Sequence, residues 1–202
     1  MKANEMREIL LRKGTELFYR KGFAQASIRD IGRVAGISSS TLYHYFKNKD
    51  ELLYEIIMDI GNNLVNILRQ TAQEFSDPEE RLRQMIFNQI CLLREKKEQV
   101  KVYIEEQYQL PPRLKRVVYK QHREIYDTYL HELEQLRKDG RLRVNHLPTI
   151  NFSIFAIMNW VYRWYREDKS LSIEEIAQMI TTILFDGILM PPQGVKKRKS
   201  LC

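Results

Sequence analysis

The chain of 202 residues is poor in cysteine, proline and glycine, with two, six and eight of these residues. Cys91 lies within a helical pattern and Cys202 is the last residue, so neither a disulfide framework nor paired zinc ligands are expected. No apolar run approaches the length of a membrane span, and the charged N-terminus does not look like a signal sequence. We therefore expect a cytoplasmic protein without membrane contact, metal or cofactor.

Signals for catalysis are also scarce. The four histidines are scattered along the sequence, at positions His44, His122, His131 and His146. The sequence contains no glycine-rich phosphate loop, carboxylate pair or nucleophile motif. A hydrophobic fraction of 44% excludes a disordered polymer. We expect a folded protein that is not an enzyme, and a small helical enzyme is the alternative from a different functional class.

Positive charge is concentrated at the two ends of the sequence. Residues 1–50 hold ten Lys/Arg against five Asp/Glu, and residues 51–195 hold nineteen against twenty-one. The remaining four positive charges of the net +7 lie in the tail, between Lys196 and Lys199. A basic segment joined to a nearly neutral body favours nucleic-acid binding by the N-terminal end. We interpret residues 193–202, after two prolines, as a basic disordered tail.

The segment from Ser27 to Leu52 predicts two short helices joined by a tight turn. Ser27 is a candidate N-cap with Asp30 as its reciprocal partner three residues later. Gly36 suits the left-handed backbone of a sharp corner, and Ser38 suits the cap of the second helix. This is the layout of a helix-turn-helix DNA-binding segment. The alternative is a helical corner with solvated serines and half-buried tyrosines.

The second short helix opens at Ser39 and is rich in small hydroxyls and aromatic rings. Packing requires only Leu42, Phe46 and one tyrosine of this segment. The remaining hydroxyls and rings suit a helix N-terminus in the major groove of DNA. Lys47 and Lys49 follow where a phosphate backbone would pass.

The complete arrangement resembles the N-terminal domain of the TetR family of bacterial transcriptional regulators. The matching motifs are Ser27, Asp30-Ile31-Gly32, Ala35-Gly36-Ile37-Ser38, Thr41-Leu42-Tyr43 and Phe46-Lys47-Asn48-Lys49-Asp50-Glu51-Leu52. Upstream, Lys21-Gly22-Phe23 resembles the end of the family's first helix. Two positions depart from the pattern, because Gly32 replaces the usual alanine and Ser40 stands where glycine, alanine or proline is common.

The resemblance implies a set of side chains that contact double-stranded operator DNA. The set is Ser27, Arg29, Ser39, Ser40, Thr41, Tyr43, His44, Tyr45 and Lys49. Arg29 and Tyr45 are expected at bases or sugars, whereas Ser27, Tyr43 and Lys49 are expected at phosphates.

Beyond Leu52 the sequence predicts further helices and no strand, so the predicted fold is all-α with about nine helices. A long helix capped by Asn48 runs to about residue 73, and Asp77-Pro78 begins the next. Later helices are expected at about 98–109, 113–139, 148–166 and 172–190. We divide the chain into a three-helix, helix-turn-helix DNA-binding domain over residues 1–48 and a helical effector-binding and dimerisation domain over residues 49–192.

The last two predicted helices favour association of two chains. Apolar residues between Ile150 and Tyr165 point in nearly every direction around their helix, which a lone surface helix does not tolerate. A four-helix contact between two copies would cover them, and its two-fold symmetry would suit a palindromic operator. The family resemblance implies the same homodimer. The alternative is a helix buried centrally in a monomer.

The body is also where we expect a small hydrophobic effector. The candidate ligand-binding residues are Phe87, Tyr103, Gln107, Tyr108, Arg113, Arg116, Tyr126, Phe155, Asn159 and Trp160. Aromatic residues with a few polar groups are the usual lining of such a site, although aromatics at helical spacing are core more often than ligand wall. Arg113 and Arg116 are candidates for the phosphates of a coenzyme A portion, with a solvated basic face as the alternative.

The segments Gly140-Arg141-Leu142-Arg143 and Asn159-Trp160-Val161-Tyr162-Arg163-Trp164-Tyr165-Arg166 carry a second resemblance. They are similar to a TetR-family subgroup in which several members control lipid or aromatic-acid catabolism and respond to acyl-CoA thioesters. The resemblance implies a repressor that its effector releases from DNA. The alternatives are a repressor of an efflux gene that responds to other hydrophobic compounds, and an architectural helical DNA-binding protein without a ligand.

Overall fold

The computed structural model of the protein describes residues 3–188, and the all-α prediction is confirmed. The described residues form ten α-helices: α1 (Ala3–Lys21), α2 (Ile28–Ala35), α3 (Ser39–Tyr43), α4 (Lys49–Glu74), α5 (Pro78–Cys91), α6 (Leu93–Glu106), α7 (Pro112–Lys138), α8 (Leu147–Met158), α9 (Val161–Trp164) and α10 (Ile173–Ile188). A 3-10 turn (Gln107–Gln109) follows α6. The predicted tail at 193–202 and the end of the last predicted helix lie outside the described residues.

Helices α1 to α3 share a small apolar core. Leu10 and Phe18 of α1, Ile31 of α2 and Leu42 of α3 are each almost completely buried, as is Phe46 after α3. Burying these large side chains in a segment of fewer than fifty residues holds the short helices α2 and α3, which are too short to be stable alone. The outer faces of α2 and α3 are therefore left free for another role.

Helix α4 connects this N-terminal unit with the rest of the fold. Its apolar stripe, from Leu52 to Leu68, is buried and packs against α1, α5, α6 and α7. The helix begins at the end of the helix-turn-helix segment and continues for 26 residues through the body. Helix α4 therefore belongs to both the N-terminal unit and the body.

The predicted helix over 148–166 is broken, and this part of the prediction was wrong. Helix α8 ends at Met158, and a separate turn, α9, begins at Val161. The break lets Val161 and Tyr162 pack toward α6, where the Tyr162 hydroxyl donates to Glu105 Oε1 at 2.7 Å. Trp160 stays on the outside of the bend, 56% exposed.

The start of the sixth helix also differs from the prediction. Helix α6 begins at Leu93, five residues before the predicted start at residue 98, and it contains a kink at Lys96 with φ −122° and ψ 25°. Directly after this kink, Lys97 Nζ donates to the carbonyl of Tyr165 at 2.5 Å. The kink is thus associated with a contact to a segment that is distant in sequence.

Candidate DNA-binding surface and ligand cavity

Helix α2 begins at the predicted reciprocal cap. The Ser27 hydroxyl accepts from the Asp30 N–H at 3.1 Å, and Asp30 Oδ2 accepts from the Ser27 N–H at 3.1 Å and the Ser27 hydroxyl at 2.7 Å. The hydrogen bonds from Ser27 lower the pKa of Asp30. Arg29 lies exposed in the first turn of the helix that this cap holds. The cap orients the first turn of α2, and a contact of Ser27 with phosphate remains a prediction.

The turn between α2 and α3 explains the glycine that departs from the family pattern. Gly36 adopts a left-handed backbone, with φ 70°, and the Ile37 N–H donates to the Gly32 carbonyl at 2.9 Å. A Cβ atom added at Gly32 would lie 2.9 Å from the Ile37 carbonyl oxygen. Since the Ile37 carbonyl is backbone and cannot move aside freely, an alanine at position 32 would push the turn away from α2. Glycine lets the turn lie close to the helix.

Helix α3 exposes the side chains that the sequence assigned to DNA. Leu42 is buried in the core, whereas Ser40, Tyr43 and His44 lie exposed on the outer face. Ser39, Thr41 and Tyr45 are partly exposed beside them. The Ser38 hydroxyl caps the helix by accepting from the Thr41 N–H at 3.0 Å. The outer face therefore presents hydroxyls, a phenol and an imidazole together, the chemistry that reads groove edges and phosphates.

Lys49 is held within the protein. Its Nζ donates to the carbonyl oxygens of Phe23 at 2.8 Å and Ala26 at 2.9 Å, and it lies 4.1 Å from the centroid of the Phe23 ring. These contacts join the start of α4 to the segment between α1 and α2. The ammonium group thus makes contacts that its sequence context did not indicate, and its contact with phosphate stays a prediction. Lys47 lies exposed.

A cavity of about 790 Å³ lies in the body between α4, α5, α6, α7 and α8. Its lining residues are Leu64, Gln89, Tyr103, Ile104, Gln107, Tyr108, Tyr119, His122, Arg123, Ile125, Tyr126, Phe152, Phe155 and Asn159. Among the predicted ligand-binding residues, six lie in this lining: Tyr103, Gln107, Tyr108, Tyr126, Phe155 and Asn159. The size and the aromatic character suit a small organic molecule.

Four predicted ligand residues lie outside the cavity lining: Phe87 and Trp160, and also Arg113 and Arg116, whose contact with coenzyme A phosphates stays a prediction. Trp160 lies outside the bend after α8, and Phe87 packs against the core. Arg113 and Arg116 are exposed on the first turns of α7. Helical spacing alone did not distinguish these positions from the lining, because the break after α8 and the direction of α7 depend on tertiary packing.

Aromatic contacts give one wall of the cavity a defined shape. The Tyr126 ring packs against Phe152 at 5.3 Å and Phe155 at 6.3 Å, and Phe155 packs edge-on against Tyr129 at 5.0 Å. The buried Tyr129 hydroxyl donates to Gln89 Oε1 at 2.9 Å, and burial raises the pKa of Tyr129. His122 also lines the cavity and was not among the predicted ligand residues. The sequence signal for it was its position three residues before Ile125, an apolar residue predicted to face inward.

Exposed apolar side chains occur on each of the last three helices, and we refer to them together as the exposed apolar face. Its members are Phe152 and Ile157 of α8, Trp160 and Trp164 at α9, Leu171 before α10, and Met179 and Ile183 of α10. Large apolar side chains grouped in this way are unusual on the surface of a monomer. The alternative of a centrally buried helix does not fit this exposure.

Neither a metal site nor a membrane-spanning helix is found in the part of the chain that the structure describes. Over residues 3–188, no group of three His, Cys, Asp or Glu side chains is arranged to hold a metal ion. Within the same range, no helix combines the length and the apolar character needed to cross a membrane.

Comparison with known proteins places this architecture in a family. Residues 76–188 match the family described as "Tetracyclin repressor-like, C-terminal domain", and residues 10–56 match "Bacterial regulatory proteins, tetR family". The chain belongs to the TetR family. The helix-turn-helix of α2 and α3 lies within the residues that match the family's N-terminal regulatory domain.

Individual relatives cover nearly the whole chain. The HTH-type transcriptional repressor KstR2 of Mycolicibacterium smegmatis is 26% identical over 185 residues, which cover 90% of each chain. The structure of the ketosteroid transcriptional regulator KstR2 of Mycobacterium tuberculosis superposes with a TM-score of 0.87 at 24% identity, covering 94% of this chain and 98% of that one. AibR in complex with isovaleryl coenzyme A and operator DNA gives a TM-score of 0.83 at 22% identity, covering 90% and 99%.

Proposed function

We propose that the protein binds a palindromic operator as a homodimer and is released by a small hydrophobic effector, with acyl-CoA thioesters as the effector class. The observation that carries the proposal is the cavity of about 790 Å³, one wall of which includes Leu64 of α4. The same helix begins at the DNA-binding segment. A molecule in this cavity therefore touches the element that supports α2 and α3.

The homodimer is supported by the exposed apolar face of α8, α9 and α10. Two copies joined through this face by a two-fold axis would bury it, as an isologous contact requires. The same axis would set the two α3 helices on successive major grooves of a palindromic site. Residues 1–48 would then be the DNA-binding domain and residues 49–192 the effector-binding and dimerisation domain. In this arrangement the DNA-contacting residues are those predicted from the sequence, with Lys49 acting on their position.

The acyl-CoA class is supported by the chemistry at the cavity and at its entrance. Tyr108 lines the cavity and is 66% exposed, so it marks an opening to solvent. Lys115 Nζ donates to the Tyr108 carbonyl at 3.0 Å, which brings the basic start of α7 to this opening. Arg113 and Arg116 are exposed on the same first turns of α7 as Lys115 and would meet coenzyme A phosphates, while an acyl chain enters the aromatic cavity. The structural relative AibR binds isovaleryl coenzyme A, which is an acyl-CoA thioester.

Coupling between effector and DNA is supported by the contact of α4 with α7. The Gln121 amide packs against Gly61, where an added Cβ would lie only 1.7 Å from Gln121 Oε1. Gln121 Nε2 also donates to Asn62 Oδ1 at 2.8 Å. Because His122, the next residue, lines the cavity, a ligand that shifts α7 would displace α4 through this contact. Operator affinity would then fall at most by the factor by which the ligand binds the shifted state more tightly than the DNA-binding state.

The test measures operator binding with and without ligand. We expect the full chain to retard a palindromic fragment from its own upstream region, with strong salt dependence. A matching acyl-CoA should weaken that binding by about 5–150-fold, whereas free coenzyme A should not. The Gly61→Ala variant should bind the same ligand and operator with a reduced response. Equal operator affinity at saturating ligand for every acyl-CoA would contradict the proposal, and release by an uncharged drug instead would favour the efflux alternative.

A further inference from the structure

His122 has an unusual position in the cavity. It lies in the middle of α7, with its ring 5.3 Å from the Tyr103 ring and 6.1 Å from the Tyr119 ring. All three side chains line the cavity. The Nε2 atom of His122 is buried and has no hydrogen-bond partner among residues 3–188. Burial lowers the pKa of His122, so the neutral imidazole is the favoured form.

A buried ring nitrogen without a hydrogen-bond partner destabilises a protein. An aromatic carbon ring of similar size would fill the same space without this cost. Two other polar side chains of the lining have partners within the protein: Gln89 accepts from Tyr129, and Gln107 Nε2 donates to the Ile104 carbonyl at 3.2 Å. His122 thus offers the cavity a hydrogen-bonding group that the protein itself does not use.

The charge of the lining indicates which kind of ligand group His122 would bind. The lining contains no Asp or Glu, and its charged side chain is Arg123. Arg123 Nε donates to Asp127 Oδ2 at 2.9 Å, and the guanidinium lies 5.4 Å from the Tyr126 ring centroid. A lining of rings, amides, one imidazole and one guanidinium favours an oxygen that accepts hydrogen bonds over an ammonium group on the ligand.

We propose that His122, in the tautomer that carries its proton on Nε2, recognises the effector by donating a hydrogen bond to a carbonyl-type oxygen on an otherwise apolar molecule. The oxygen belongs either to an acyl thioester or to the carboxylate of the corresponding free acid. This inference rests on the effector site proposed above and assigns its specificity-determining residue. The apolar chain then contacts Phe155 and Ile125, while the imidazole sets the depth at which the carbonyl stops.

The test compares three ligands with the same eight-carbon chain. Octanoyl-CoA and octanoate carry the accepting oxygen, whereas the thioether S-octyl-CoA lacks it. Titration calorimetry with the full chain should give about tenfold tighter binding of octanoyl-CoA than of S-octyl-CoA, as one hydrogen bond provides. The relative affinities of octanoyl-CoA and octanoate identify which source of the oxygen the site prefers, and the proposal covers both.

Substitution of His122 should abolish this preference. His122→Phe keeps the ring and should bind the thioester and the thioether equally, whereas His122→Gln retains a donor and should recover part of the difference. His131→Phe is the matched control, because this histidine is exposed on the same helix and lies outside the cavity lining. A His122→Phe variant that keeps the full preference would overturn the inference, even if ligand still releases the operator.

A second measurement does not depend on ligand binding. If the imidazole is retained for recognition, unliganded His122→Phe should melt at the same temperature as the wild type or above it. A clear fall in its melting temperature would show that the imidazole holds the fold, and the inference would fail. Absence of binding of all three ligands to the wild type would overturn both the inference and the acyl class, while operator binding would leave the repressor assignment intact.

Discussion

Replacing Lys49 by methionine separates two roles for its ammonium group. The variant keeps an unbranched apolar stem and removes the two hydrogen bonds to the carbonyls of Phe23 and Ala26, together with the contact over the Phe23 ring. In the free protein these contacts tie the start of α4 to the segment before α2. The family resemblance, in contrast, placed Lys49 at a DNA phosphate.

The magnitude follows from the contacts that are lost. A hydrogen bond from a charged donor contributes about 1.5–3 kcal/mol, and an exposed cation–π contact contributes about 0.5–1 kcal/mol. Since carbonyls in a surface turn regain water after the substitution, we expect the free energy of unfolding to fall by about 2–4 kcal/mol rather than by the full sum. The turn that carries Ser27 should loosen, and operator affinity should fall with it.

The assay combines denaturant unfolding with operator binding at several salt concentrations, using Lys47→Met as the matched variant. Loss of one phosphate contact reduces the slope of log K against log salt by about 0.9. We expect Lys49→Met to lose stability and affinity at an unchanged slope. The exposed Lys47 should behave in the opposite way, with a smaller slope and unchanged stability.

The reverse result for Lys49 would refute this reasoning. If Lys49→Met unfolds at the wild-type denaturant concentration and its salt slope falls by about one, the ammonium group acts on phosphate in the complex. The contacts with Phe23 and Ala26 would then contribute little to the position of α2.

Three other substitutions test the body. Glu132→Gln removes the counter-charge of partly buried Arg81, whose Nε lies 2.8 Å from the buried Glu132 Oε2. Denaturant unfolding should show a loss of about 3–5 kcal/mol, and a loss below 1 kcal/mol would contradict this. The hydrogen bond from Arg141 lowers the pKa of Asp77, so the stabilisation by ionised Asp77 is present above the ordinary aspartate pKa and lost as pH falls. The difference in the free energy of unfolding between the wild type and Asp77→Asn should therefore shrink in acid, and a difference that stays constant with pH would contradict this. Ile183→Lys, at a side chain 69% exposed, should yield folded monomers in sedimentation, and persisting dimers would place the interface elsewhere.

Local signals predicted the helix starts well. The N-cap of α4 is Asn48, which accepts from the Glu51 N–H at 2.9 Å, and that of α5 is Asp77, which accepts from the Glu80 N–H at 3.1 Å. Gly36 ends α2 with the expected left-handed backbone. Each of these features depends on residues three or four positions apart, so the sequence contains all the information that they require.

The cavity was predictable only in part. Tyr126 and Phe155 were recognisable as inward-facing aromatics, whereas the unpaired nitrogen of His122 and the internal position of Lys49 were not. These two depend on neighbours that the sequence places far away, such as Tyr103 beside His122 and Phe23 beneath Lys49. Periodicity reports which face of a helix is apolar, but it does not report which other helix meets that face.

The sequence by itself determined the all-α class, the helix-turn-helix with its caps and the family, because these reside in short-range patterns and motifs. Only the tertiary structure decided where α8 breaks, which aromatics enclose the cavity and how Gln121 of α7 meets Gly61 of α4. The physical reason is that packing between helices selects among arrangements that the local backbone tolerates almost equally.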